Sequence, residues 1–148
     1  MNTWKIVISA VLVILGLPVV LVLIAAVSFY ALFYDLNRTN GPIVSSGQKR
    51  EYLLYIPRSY DRAEPTPLVI SMHAAALWPT HQRETSHWNK LADEHGFIVV
   101  YPSGTTLRGG GTGVLPKVWL LRPEADLSAN VRFISELIDT LKAAYNID

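Results

Sequence analysis

PLVISMHAAALWP at residues 67–79 and WNKLADEHGFIVVYPSG at residues 88–104 set the order of elements that decides the fold. Leu68-Val69-Ile70-Ser71-Met72 is a short apolar run of the kind a buried parallel strand requires. Small and loop-forming residues follow from His73 to Pro79. Thr80 to His95 reads as a helix, because Trp88, Leu91 and Ala92 share one face and Gly96 stands where a helix ends. Phe97-Ile98-Val99-Val100-Tyr101 is a second buried strand, stopped by Pro102. Strand, helix and strand in this order predict a right-handed βαβ crossover.

The same alternation extends outward. Arg50 to Pro57 is rich in aromatic and branched residues and reads as a strand closed by proline. Leu127, Val131, Ile134, Ile138, Leu141 and Tyr145 recur at spacings of three and four, which predicts an amphipathic helix. Asp126 is placed to start it. Between them Ser103 to Pro116, with its run Gly109-Gly110-Gly111-Thr112-Gly113, reads as a loop. Its glycine spacing does not fit a dinucleotide fingerprint, which needs G-x-G-x-x-G between a strand and a helix. The fold class expected is α/β: a parallel sheet flanked by helices, occupying residues 50–148.

Ahead of it, Ile6 to Tyr34 carries no charged residue and is apolar almost throughout. A bilayer core of roughly 30 Å needs about 20 such residues. Residues 1–34 therefore read as a membrane anchor spanning about 6–34, and residues 35–49 as a polar linker leading into a hairpin. A cleavable signal peptide is the competing reading, with Ala26-Val27-Ser28 offering small residues at a cleavage spacing. The length of the apolar run favours the anchor, since a signal peptide's core is only about 7–15 residues. Trp4 at one end and Phe29, Tyr30 and Tyr34 at the other match interfacial aromatics. The basic residues flanking the run are nearly balanced, and the orientation expected is a cytoplasmic amino terminus with an external domain.

Composition excludes several function classes. Thirteen basic and 12 acidic residues leave a net charge of +1, so no partnership with nucleic acid is expected, which needs clustered basic residues. There is no cysteine, which removes disulfides, thiolate catalysis and cysteine zinc sites. His81, His87 and His95 have no pairing at a metal-ligand spacing, and no metal site or cofactor is implied.

The candidate chemistry lies at His73-Ala74-Ala75-Ala76. It follows a buried strand, where α/β sheets place ligands, and its small side chains let backbone N–H groups approach a reacting carbonyl. His73, Ala74 and Ala75 are the candidate oxyanion-hole residues, with His73 a support for the loop rather than a base. An ordinary strand-to-helix loop is the alternative. Trp78 and Trp119 are candidates for lining a pocket, with a core role as the alternative.

These segments together resemble the esterase and polyhydroxybutyrate-depolymerase family of α/β-hydrolases over residues 50–148. The matching features are the apolar strand with its HG-type loop at His73, the W-x-x-x-A-x-x-x-G-F helix from Trp88 to Phe97, and Val99-Val100-Tyr101-Pro102. The glycine-rich loop before Trp119 and the stretch from Asp126 to Asp148 are also similar. The resemblance implies a serine ester hydrolase acting on short-chain hydroxyalkanoate, feruloyl, acetyl or related esters. This chain departs from the family in three ways. Ala74 stands where glycine is common, the cysteine often found near Trp119 is missing, and no G-x-S-x-G nucleophile elbow occurs in the sequence. The family's chain order places serine, acid and histidine after the Tyr145-Asn146-Ile147-Asp148 segment. No catalytic residue is therefore expected within this chain, which reads as the amino-terminal part of such a hydrolase. A non-catalytic membrane protein is the alternative. The partners expected are a membrane, an ester substrate once a carboxy-terminal half completes the site, and possible self-association through an unfinished sheet. The apolar face of helix 127–145 is expected to lie uncovered.

Overall fold

The computed structural model describes residues 2–148 except 107–109, 111, 113–114 and 120–126. Asp126 and most of the glycine run lie outside the described residues. Contacts divide the chain into two units, Met1–Tyr34 and Asp35–Asp148.

The first unit belongs to one long helix, α1 (Thr3–Leu36), with Pro18 inside it. At 1.5 Å per residue its 34 residues reach about 51 Å. Leu12, Ile14, Val22 and Val27 are exposed on different sides. A helix that is apolar all round has no face to turn to water. Val11–Leu36 is long and apolar enough to cross a bilayer, with a mean hydropathy of 3.0. A signal sequence meets the same criterion.

In the second unit, β1 (Gly41–Ser45), β2 (Gln48–Tyr55), β3 (Leu68–Ile70) and β4 (Ile98–Pro102) form one sheet in the order β1-β2-β4-β3. β3 and β4 are parallel, with Val69 opposite Val99. β2 runs antiparallel to both β1 and β4. The sheet is thus mixed rather than parallel. A two-residue turn sets the antiparallel hairpin: Ser46 and Gly47 both have positive φ, the conformation that matches strand twist. Residues 41–45, read from sequence as linker, are strand β1. Pro42 masked it, yet proline is tolerated on an edge strand because the missing N–H faces no ladder partner.

The helix expected over 80–95 is two helices, α2 (Pro79–Ser86) and α3 (Trp88–His95). His87 between them has φ 56°, outside helical geometry. The break lets Trp88 meet Phe97 edge to face and Asn89 accept a hydrogen bond from the Tyr101 hydroxyl at 2.8 Å. Gly96 ends α3 in the left-handed conformation and donates its N–H to Ala92. The segment read as loop from Ser103 begins with β5 (Thr105–Thr106), which pairs antiparallel with β6 (Lys117–Val118).

Side chains alternate across the sheet. Leu53, Val99 and Tyr101 meet Ala92 and Trp88 of α3 on one face. Val100, Leu54, Leu68 and Ile70 meet α4 (Leu127–Ala144) on the other. The face of α4 is therefore not uncovered. Phe133, Leu137 and Leu141 are its buried stripe, while Val131, assigned to the stripe from spacing, is 70% exposed. Spacing alone admits several neighbouring stripes, and only packing selects one. Leu137→Ala should therefore cost about 2–5 kcal/mol and Val131→Ala little, measured by urea unfolding of the detergent-solubilised chain.

Candidate functional site

The chain leaves the carboxy end of β3 at Ser71, whose N–H still bonds Val100 of β4 at 2.9 Å. Ser71 is held in turn by Gln82 of α2, whose amide donates to its hydroxyl at 3.0 Å. Two residues on, His73 is almost fully buried. Its Nε2 lies 3.0 Å from the Gly104 N–H. That amide can only donate, so Nε2 accepts and the ring proton sits on Nδ1. Nδ1–H then donates to the Ala74 carbonyl at 2.8 Å. Both ring nitrogens are occupied, and burial pushes the pKa down from the ordinary 6.5, helped by Lys117 and opposed by the Ala74 bond. The imidazole is a neutral strut between the β3 and β4 exits.

Three further contacts fix the same corner. Trp119 donates its indole N–H to the His73 carbonyl at 2.9 Å, and its ring stacks on the imidazole at 5.1 Å. Lys117 of β6 donates its N–H to Leu77 at 3.2 Å. Gly104 is needed where these strands converge: a Cβ there would lie 2.5 Å from the Val118 carbonyl and 3.2 Å from His73.

His73, Ala74, Ala75 and Trp119 thus belong to one corner, and Trp78 to the start of α2. Ala74, Ala75 and Ala76 form an exposed turn, closed by Leu77 N–H to the Ala74 carbonyl at 3.3 Å. Ala76 takes φ 60°, a conformation that costs a residue with a Cβ about 1 kcal/mol. Among the described residues, the N–H groups of Ala74 and Ala75 have no hydrogen-bond acceptor. They are available to a ligand at the carboxy end of a parallel strand. Trp78 is buried and provides the residue preceding α2. Trp119 packs against the α4-side core as well as His73.

Sequence reasoning missed the polar residues behind this corner. Arg50 and Lys117 are buried. Burial lowers the Lys117 pKa, with Glu51 pulling the other way, and raises that of Glu51, with Lys117 opposing. Arg50 is lowered to about 10 by burial alone. Its guanidinium donates to the Ser103 carbonyl at 3.2 Å and lies 3.9 Å above the Phe133 ring. The alternation of β2 was the available signal, since Arg50, Tyr52 and Leu54 share a face. Among the described residues no group of three or more His, Asp or Glu is placed to hold a metal.

A mixed sheet in the order β1-β2-β4-β3 with helices on both faces, and free amides beyond β3, defines an α/β-hydrolase-type arrangement. The chain is 35% identical over 102 residues to the bifunctional acetylxylan esterase/xylanase XynS20E of Neocallimastix patriciarum, a match covering 69% of this chain and 13% of that protein. The crystal structure of native sOPH aligns with a TM-score of 0.54 at 19% identity, covering 76% of this chain and 41% of that one. Native pOPH aligns at 0.50 and 17%, with the same coverages. No family model matches the chain. In sequence and in fold the chain is similar to esterase-type α/β-hydrolases, and it spans a minor part of the length of each relative.

Two outcomes follow from the geometry. Because the folded His73 pKa lies below its unfolded value, the unfolded chain binds more protons just below the unfolded pKa. Stability should fall as pH drops from about 6.5, and His73→Gln should flatten that slope in urea titrations across pH 7 to 5. Ala76→Gly should raise stability by roughly 0.5–1 kcal/mol by relieving its positive φ, measured by the same unfolding.

Proposed function

We propose that residues 35–148 form the amino-terminal part of a membrane-anchored serine ester hydrolase, in which the Ala74 and Ala75 N–H groups supply the oxyanion hole. One observation carries this reading: two unpartnered, exposed amides follow a parallel strand, and a buried neutral histidine fixes the turn that bears them. In the reaction, a serine oxygen attacks the ester carbonyl while a histidine takes its proton. The carbonyl oxygen becomes an oxyanion held by the amides. The alcohol leaves, and water releases the acyl group. His73 is a positioning residue in this scheme. Its Nε2 is committed to Gly104, so it is not the base. Trp119 braces the loop through the His73 carbonyl and ring, and Trp78 is buried where the loop enters α2. The similarity to an acetylxylan esterase supports acetyl esters as the substrate class.

The serine, acid and histidine are absent from the motifs of this sequence, so the chain alone is proposed to be inactive. α1 is its anchor, with the hydrolase unit outside the cytoplasm. The absence of the nucleophile motif also supports a second reading, a non-catalytic interaction protein. Among the described residues β3 is an edge strand, with Thr66 just before it bridged in parallel to Ile147, and self-association through that edge fits either reading. The purified chain should hydrolyse p-nitrophenyl acetate no faster than buffer. Reading the coding sequence past the Asp148 codon should reveal G-x-S-x-G followed by an acid and a histidine. A stop codon with no such sequence downstream would favour the second reading, and turnover by this chain alone would overturn the assignment of the missing triad.

A further inference from the structure

The polar stretch after the apolar run, residues 35–40, has no slack. Arg38 donates its N–H to the Asp35 carbonyl at 3.2 Å, and Asn40 donates its own to the Tyr52 carbonyl of β2 at 3.1 Å. The Asn40 side chain also pairs with both backbone groups of Leu54, at 2.8 and 2.7 Å. The Thr80 hydroxyl, buried at the start of α2, lies 3.3 Å from the Arg38 carbonyl and 3.5 Å from that of Asp35. All of these bonds lie within the second unit. Asp35 is also the residue that follows the apolar run. With α1 as anchor, covalent connection keeps Asp35 at the lipid boundary, and its bonds hold the start of α2 there too.

The segment leading into α2 suits that place. Residues 65–80 contain no Asp, Glu, Lys or Arg, and their one histidine, His73, is buried. Met72 is 46% exposed, and Ala74, Ala75 and Ala76 are exposed beside it. A single exposed methionine is ordinary on a soluble surface; beside the end of an anchor it has an apolar phase within reach. Ala76 is four residues from Thr80, at most about 14 Å along the chain. The headgroup layer is itself about 5–8 Å deep. Arg38, exposed at the same junction, suits anionic headgroups.

We infer that the loop of residues 72–77 is a lipid-contacting surface, seated in the headgroup layer of the bilayer that α1 enters, with Met72 at the acyl boundary. Apolar side chains of interfacial segments enter that boundary by about 5–10 Å. The inference rests on α1 being the anchor and not on the oxyanion-hole reading, so ester turnover plays no part in its test.

The chain has no cysteine, so a single label site can be introduced. The test uses the full chain in vesicles of phosphatidylcholine and phosphatidylglycerol, part of the lipid carrying a nitroxide on its headgroup. A bimane fluorophore is placed on Ala75→Cys or, as a control, on Ala63→Cys. Ala63 is exposed and precedes β3, at the opposite end of that strand. Quenching at Ala75→Cys should exceed that at Ala63→Cys several-fold. Met72 is exposed, so Met72→Glu should fold, and in the Ala75→Cys background it should bring quenching down towards the control. Equal quenching at the two positions, or quenching at Ala75→Cys that Met72→Glu leaves unchanged, would overturn the inference and leave the anchor standing. A chain that does not float with the vesicles would overturn the anchor and the inference together.

Discussion

All five residues of β4 are buried, and this single constraint organises residues 35–148. A buried strand must pair its backbone N–H and C=O groups on both edges, because each unpaired group costs on the order of 1–3 kcal/mol. β2 satisfies one edge and β3 the other. Both faces of β4 must also be covered, so α3 lies against Val99 and Tyr101 while α4 lies against Val100. The layers and the strand order are consequences of one central strand that water never reaches.

The carboxy ends of β3 and β4 then emerge side by side, and one imidazole joins them. His73 occupies both nitrogens within the protein, which removes it from proton transfer and makes it a spacer of fixed length between Gly104 and Ala74. The cost is a basic group held neutral in the interior. The return is an exposed turn in which the Ala74 and Ala75 amides have no acceptor among the described residues. Trp119 and β6 close the same corner from the far side, so the exposed turn rests on a rigid base.

Polar residues behind the corner extend this pattern. Arg50 lies on the α4 side of β2, Glu51 is half-buried on the opposite face, and Lys117 is buried on β6. Glu51 and Lys117 moderate each other's burial, whereas Arg50 rests on a carbonyl and an aromatic face. The hairpin and α4 consequently meet across charge as well as across the apolar stripe.

Much of this organisation was legible in the residues. The apolar runs at 68–72 and 97–101, the period of the last helix, Gly96 as a stop and the small residues after His73 each follow from local chemistry. The charge-free run from Ile6 to Tyr34 likewise requires an apolar helix wherever it resides. Packing decided the rest. Strand β1 is disguised by Pro42 and Gly41, and Gly41 is required because a Cβ would occupy the Tyr52 ring. The break at His87 has no sequence signal, since it answers to Phe97 and Tyr101 on another element. Phe133 rather than Val131 faces the sheet because the rotation of α4 is set by Val100 and Arg50. The sequence by itself determined which segments are strands and helices, because periodicity and capping are local. Only the tertiary structure decided that His73 is a neutral strut and Arg50 a buried cation, because both depend on partners more than 30 residues away.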